Sequence, residues 1–219
     1  MTPLQTNCEF CDEFENKTTS RFAAIYGGRL RSRIVLETDG FVALPTIGQL
    51  FSGSMLILPR RHTERFSDLS RFEIGRFDSF ARRLFDGVGS DHVLFEHGAR
   101  CVSRGGCGIY HAHVHCIPVP SELLLNDMLP FGRQAHDSLS DAWKANRNTD
   151  EYIVARDSAG RVASIDEDVI RLHGYGSQHM RRVLVSHFSL PKPWDWRDYE
   201  EPERDLIAAV AARTPSHVF

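Results

Sequence analysis

Apolar residues in the first 120 positions fall into short runs separated by turn formers, a pattern that predicts several strands with one longer helix among them. Ile34-Val35-Leu36-Glu37 and Phe41-Val42-Ala43-Leu44 flank Asp39-Gly40, a strong hairpin signal. Pro45 to Gly53 reads as a loop. Ser54 to Pro59 is the next strand, carrying the buried run Met55-Leu56-Ile57-Leu58. Ser67-Asp68 caps a helix that runs to about Asp86, with Leu69, Phe72, Phe77, Phe80, Ala81, Leu84 and Phe85 at helical spacing and Gly87 ending it. Ser20 to Ala24 is a short helix or loop, and His92 to Glu96 is a strand.

Beyond Ser121 the pattern is sparser. Tyr152-Ile153-Val154-Ala155 and Val162-Ala163-Ser164-Ile165 flank Asp157-Ser158-Ala159-Gly160 and predict a second hairpin. Ser177 caps a helix through His187, with Met180, Val183 and Leu184 inward and Arg181 and Arg182 in its first turns. Helical N–H groups there suit a phosphate, although the two arginines read first as a solvated face. Trp194-Asp195-Trp196 reads as packing bulk. The expected division is a domain over 1–120 and a C-terminal extension over 121–219 that packs on the core and shapes substrate choice.

The chemistry concentrates in His111-Ala112-His113-Val114-His115-Cys116. On a strand, alternation places three imidazoles on one face and Ala112, Val114 and Cys116 on the other, buried one. Histidine suits nucleophilic and acid–base work near neutrality. The bland alternative is a polar strand face. Gly105-Gly106-Cys107-Gly108 lies just before the run, and a glycine-rich turn lets backbone N–H groups approach a phosphate. Cys8-Glu9-Phe10-Cys11 has the two-residue spacing of a metal knuckle, and His62 follows the Met55–Leu58 run. A reduced surface cysteine pair is the alternative there.

The glycine turn followed by His-x-His-x-His resembles the histidine triad superfamily of nucleotide hydrolases and nucleotidyl transferases, over roughly residues 8 to 120. The resemblance implies an α+β histidine triad fold, an antiparallel sheet with a long helix. It implies a closed structural zinc on Cys8, Cys11, His62 and His111, and His113 as the nucleophile that forms a nucleotidyl-histidine. His115, with Gly106, Cys107 and Gly108, would hold the phosphate. His at the third triad position, where the uridylyltransferases carry Gln, favours hydrolysis. The alternatives are a nucleotidyl transferase or a non-catalytic nucleotide-binding protein. Cys107 and Gly108 replace the Gln and Ser or Thr of small family hydrolases, and Thr46 stands where the family places an Asp for the ribose. Glu96-His97-Gly98 is a further candidate, read first as a salt-bridged Glu beside a surface His.

Composition narrows the classes. A net charge of −3 and a pI near 6.4 speak against non-specific nucleic-acid binding. No apolar stretch approaches the ~20 residues of a membrane span. Met1 to Asn7 lack a signal-peptide layout, and five cysteines do not suggest a disulfide framework. The expectation is a cytoplasmic enzyme acting on a small nucleotide or nucleotide conjugate, with no nucleic-acid or membrane partner, and assembled as a homodimer.

Overall fold

The computed structural model describes residues 8–26, 32–38, 40–85, 91–100 and 109–199. Within them the fold is α+β. Strands β1 (Leu36–Thr38), β2 (Phe41–Pro45), β3 (Met55–Pro59), β4 (His92–Ala99), β5 (Val114–Pro118), β6 (Gln134–His136), β7 (Glu151–Arg156) and β8 (Val162–Asp166) form one sheet. Its order is β1-β2-β3-β5-β4-β7-β8-β6, and every pairing is antiparallel. The first hairpin forms, with Thr38 opposite Phe41 and Gly40 at φ +83°, where a Cβ would be strained; Asp39 lies outside the described residues.

Helices cover both faces, so the central strands are buried on both sides. On one face Phe41, Ile57, Leu94, Val114, Tyr152 and Val154 meet α3 (Arg71–Phe85) and α5 (Leu139–Ala145). Phe77 of α3 and Trp143 of α5 pack edge to face at 5.0 Å there. On the other face Val42, Leu44, Leu56 and Leu58 pack against α1 (Glu9–Phe14). Farther along that face Phe95, Ile117, Ile153 and Ile165 pack against α4 (Leu125–Met128), α6 (Glu167–His173) and α7 (His179–His187). The gap between α1 with α2 (Arg21–Tyr26) and the start of α7 leaves part of this face open as a cleft.

Several boundaries differ from the sequence reading. The long helix starts after Ser70, not Ser67. Ser70 Oγ accepts from the Glu73 N–H (3.2 Å) and Glu73 returns the contact to the Ser70 N–H (2.8 Å), a capping box. Ser67 lies in a 3₁₀ turn over Phe66–Asp68. Phe72 faces solvent at 70 % exposure, because Ile74, Phe77, Phe80, Ala81 and Leu84 already fill the inner stripe. Asp86 and Gly87 lie outside the described residues. Helix α7 is capped by Gln178 in the left-handed region (φ 57°) rather than by Ser177. Strand β4 continues past Glu96 to Ala99 because β7 pairs with it along that stretch.

Candidate active site and metal centre

Phe10 and Phe14, one turn apart on α1, are buried against the sheet and fix the helix there. That anchoring brings Cys8 and Cys11 to the end of β3, where His62 follows. Cys8 Sγ stands 3.3 Å from His111 Nδ1, and Cys11 Sγ stands 3.5 Å from His62 Nδ1 and 3.6 Å from His111 Nδ1. All four donor atoms lie within 4.8 Å of one another. A tetrahedral zinc with Zn–S of about 2.3 Å and Zn–N of about 2.0 Å separates S from N by about 3.6 Å, so the donors fit that ion in kind and in spacing.

The tautomer fits as well. The Pro59 carbonyl lies 2.9 Å from His111 Nε2 and can only accept, so Nε2 carries the proton and Nδ1 turns its lone pair to the thiols. Burial pushes the His111 imidazole down to about 4, which keeps it neutral. Burial and the neighbouring Cys8 push the Cys11 thiol up to about 12, so without a cation Cys11 stays protonated.

The triad run is not all strand. Only His115 lies in β5, which starts at Val114, whereas His111 and His113 precede it. His113 Nδ1 bonds the His111 carbonyl at 2.7 Å, which occupies a carbonyl that a sheet ladder would otherwise use. That acceptor again fixes the tautomer. Nδ1 holds the proton, and Nε2 carries the lone pair of a ring that lines the cleft. The expected division of the faces holds, with Ala112, Val114 and Cys116 in the core on the α3 side. His115 lies on the cleft side, stacked on Phe95 at 4.7 Å. Burial, then the charges of His113 and Arg181, hold its pKa well below the usual range, so it is neutral. Phe10 touches both the His111 and the His113 rings at 5.7 Å and joins the Cys/His cluster to the cleft.

The cleft holds about 920 Å³ of space open to solvent. Besides His113 and His115 it presents Thr46, His97, His179, Arg181 and Arg21. Thr46, at the position where the resemblance implies an Asp, is buried, and its hydroxyl makes a long 3.5 Å contact to the Ser54 carbonyl. His179 directs Nε2–H to the Met128 carbonyl (3.0 Å), and burial lowers its pKa. Arg181 is 5 % exposed and lines the cleft, so the solvated reading fails for it. The position of a charge in an amphipathic helix was the available signal, and it pointed the other way. Arg182 does reach outward, over the Trp194 ring at 3.9 Å. Trp196 is part of the cleft wall, beyond the packing role read from sequence.

Among the described residues Glu96 has no salt-bridge partner. It is 2 % exposed and accepts from the Phe66 N–H (2.8 Å) and the Tyr152 hydroxyl (2.7 Å), and burial pushes its pKa to about 7. Its neighbour His97 takes the carboxylate instead, with Nε2 at 2.7 Å from Glu151. Gly106, Cys107 and Gly108 lie outside the described residues.

A family model described as "Protein similar to CwfJ C-terminal" matches residues 2–132. No curated protein matches the chain. Among solved structures it is similar to a hypothetical histidine triad nucleotide-binding protein from Sulfolobus tokodaii, at 24% identity over 45% of this chain and 67% of that one (TM-score 0.34). It is similar to a HIT family hydrolase from Clostridium thermocellum at 18% identity, covering 53% and 93% of the two chains (TM-score 0.39). A Zn-bound histidine triad family protein from Mycobacterium smegmatis matches at 19% identity, covering 57% and 88% (TM-score 0.35). Likenesses of this extent leave the chemistry to the residues themselves.

Proposed function

We propose that this chain, which belongs to the family of proteins similar to the CwfJ C-terminal region, cleaves a bond to the α-phosphate of a nucleotide or nucleotide conjugate through a covalent intermediate on His113. The observation that carries this reading is the 2.7 Å bond from His113 Nδ1–H to the His111 carbonyl, which leaves Nε2 as the nucleophilic nitrogen of a ring in the cleft wall.

In the first step the Nε2 lone pair forms a bond to phosphorus while the bond to the leaving group breaks. The leaving group departs with the bonding pair and takes a proton from solvent. The phosphorylated ring is cationic, and the His111 carbonyl stabilises that charge through Nδ1–H. Water then adds at phosphorus and the P–N bond breaks, returning its electron pair to Nε2. The nucleoside monophosphate leaves with the water oxygen, and the water's proton passes to solvent. Neutral His115 has one N–H to offer the phosphate oxygens as charge gathers on them. Backbone N–H groups of Gly106, Cys107 and Gly108 belong to this proposal as the rest of the phosphate cradle.

The same reading assigns a structural zinc to Cys8, Cys11, His62 and His111, supported by donor types and spacings. Bound there, the ion ties α1 to the residue whose carbonyl holds the nucleophile. Nucleoside monophosphate release, followed by chromatography on phosphoramidates, acyl-nucleotides and dinucleoside polyphosphates, tests the reaction. Wild type should turn over at least one of these, and His113→Ala should lose about 10³-fold or more. Release that persists undiminished in His113→Ala refutes the mechanism.

A further inference from the structure

Among the described residues, three arginines that the reaction above does not use line the cleft; Arg33 is paired with Glu13, which leaves Arg181 and Arg21. Arg181, the third residue of α7, is buried. Its Nε and Nη2 donate to the carbonyls of Trp194 and Gly48, the second at 2.9 Å. Those acceptors satisfy N–H groups but carry no charge; Tyr199 and Asp195 act favourably on the guanidinium without an ion pair, yet burial still outweighs them, which is costly for a cation. Arg21 lies over the Trp196 ring at 4.2 Å, and its buried Nε has no acceptor. Neither arginine has a carboxylate at ion-pair distance among the described residues. The nearby carboxylates are already engaged. Glu13 holds Arg33 through two bonds of 2.8 Å, Glu9 accepts from the Arg21 backbone N–H at 2.9 Å, and Asp195 is paired with Arg197 at 2.8 Å. Both guanidinium groups line the cleft that also contains His113 and His115.

We infer that Arg181 and Arg21 form a second anion subsite, which takes phosphate beyond the one attacked, so that the leaving group is itself a phosphate. On the reaction proposed above, this makes the substrate a nucleotide joined through a phosphoanhydride, rather than one joined to an amine. Arg181 is then a specificity-determining residue contributed by the C-terminal half of the chain. Its position is fixed by the close approach of the Gly48 loop to residues 194–199. At Gly48 (φ +70°) a Cβ would meet Trp196 and Tyr199 at 3.0 Å.

Titration calorimetry with inorganic tripolyphosphate, in magnesium-free buffer, tests the subsite on wild type, Arg181→Lys and Arg21→Gln. Release from a phosphoanhydride and from a phosphoramidate of the same nucleoside is measured in parallel. Tripolyphosphate should bind wild type, and each substitution should weaken it about tenfold or more, the scale of a lost charge-assisted bond. The ratio of anhydride to phosphoramidate kcat/KM should fall by a similar factor. Arg21→Gln, at a half-buried side chain, keeps the test intact if Arg181→Lys does not fold. Tripolyphosphate that fails to bind, or binds all three proteins equally, overturns the inference whatever the turnover. Turnover indifferent to His113→Ala overturns the reaction instead, and the binding arm still decides the subsite.

Discussion

Glu96 makes the structure testable without a substrate. Its folded pKa of about 7 lies above the ordinary 4.5, because burial penalises the carboxylate more than Phe66 N–H and Tyr152 stabilise it. Between pH 4.5 and 7 the folded chain therefore keeps a proton that the unfolded chain has released. Stability falls as pH rises through that window, by about 1.4 kcal/mol per unit for this group, and about 3 kcal/mol is lost by pH 8. Glu96→Gln removes the titration. Its amide oxygen keeps the Phe66 N–H, but its NH₂ faces the Tyr152 hydroxyl, which already receives the Ser67 N–H at 3.1 Å. That mismatch costs about 1–3 kcal/mol at every pH. In urea unfolding, the variant should be the less stable protein at pH 5, and the gap should shift in its favour by about 3 kcal/mol at pH 8. Titrations common to both proteins, the metal ligands included, cancel in the difference. A gap that is the same at pH 5 and pH 8 refutes the buried, protonated Glu96.

Three further substitutions probe other parts of the molecule. Cys8→Ser should abolish stoichiometric zinc measured by atomic emission and lower Tm by about 5–10 °C, a few kcal/mol in a chain of this size; a metal-free wild-type preparation made without chelator would refute the ion. Gly98→Ala would place a Cβ 2.4 Å from Tyr152 Cζ, displacing the ring that bonds Glu96, and should cost about 2–3 kcal/mol by denaturant unfolding. Ser70→Ala removes half of the α3 capping box and should cost about 1 kcal/mol in the same assay.

What the sequence revealed divides along the range of the interactions. The hairpin strands were legible because apolar runs and Gly-bearing turns act over a few residues. The Cys8-x-x-Cys11 spacing and His62 were legible as donors, and the resemblance added His111; the fold brings these four donor atoms within 4.8 Å of one another. Arg181 was not legible. Helical periodicity places it beside exposed Arg182, and the acceptors of its buried guanidinium, the carbonyls of Trp194 and of Gly48, 133 residues away, leave no trace in that pattern. Glu96 failed similarly: a carboxylate implies a cation, but its partners are a backbone N–H and a phenol brought by distant elements. Ser67 was the expected cap, but it lies in a 3₁₀ turn in which Asp68 binds Arg65, and the helix starts after Ser70.

The cleft is walled by α1 and α2 on one side and by α7 with Trp196 on the other, so it forms only when segments more than 150 residues apart in sequence come together. Lys192 reaches the Gln49 carbonyl at 2.8 Å across 143 residues, beside the Arg181–Gly48 bond. In kinetic terms these are late contacts, because loop-closure entropy must be overcome before they contribute. Refolding should therefore restore the β1–β5 pairings, with their shorter loops, before it restores the cleft. A nascent chain that carries His113 has that ring in sequence long before it has the cleft the ring lines.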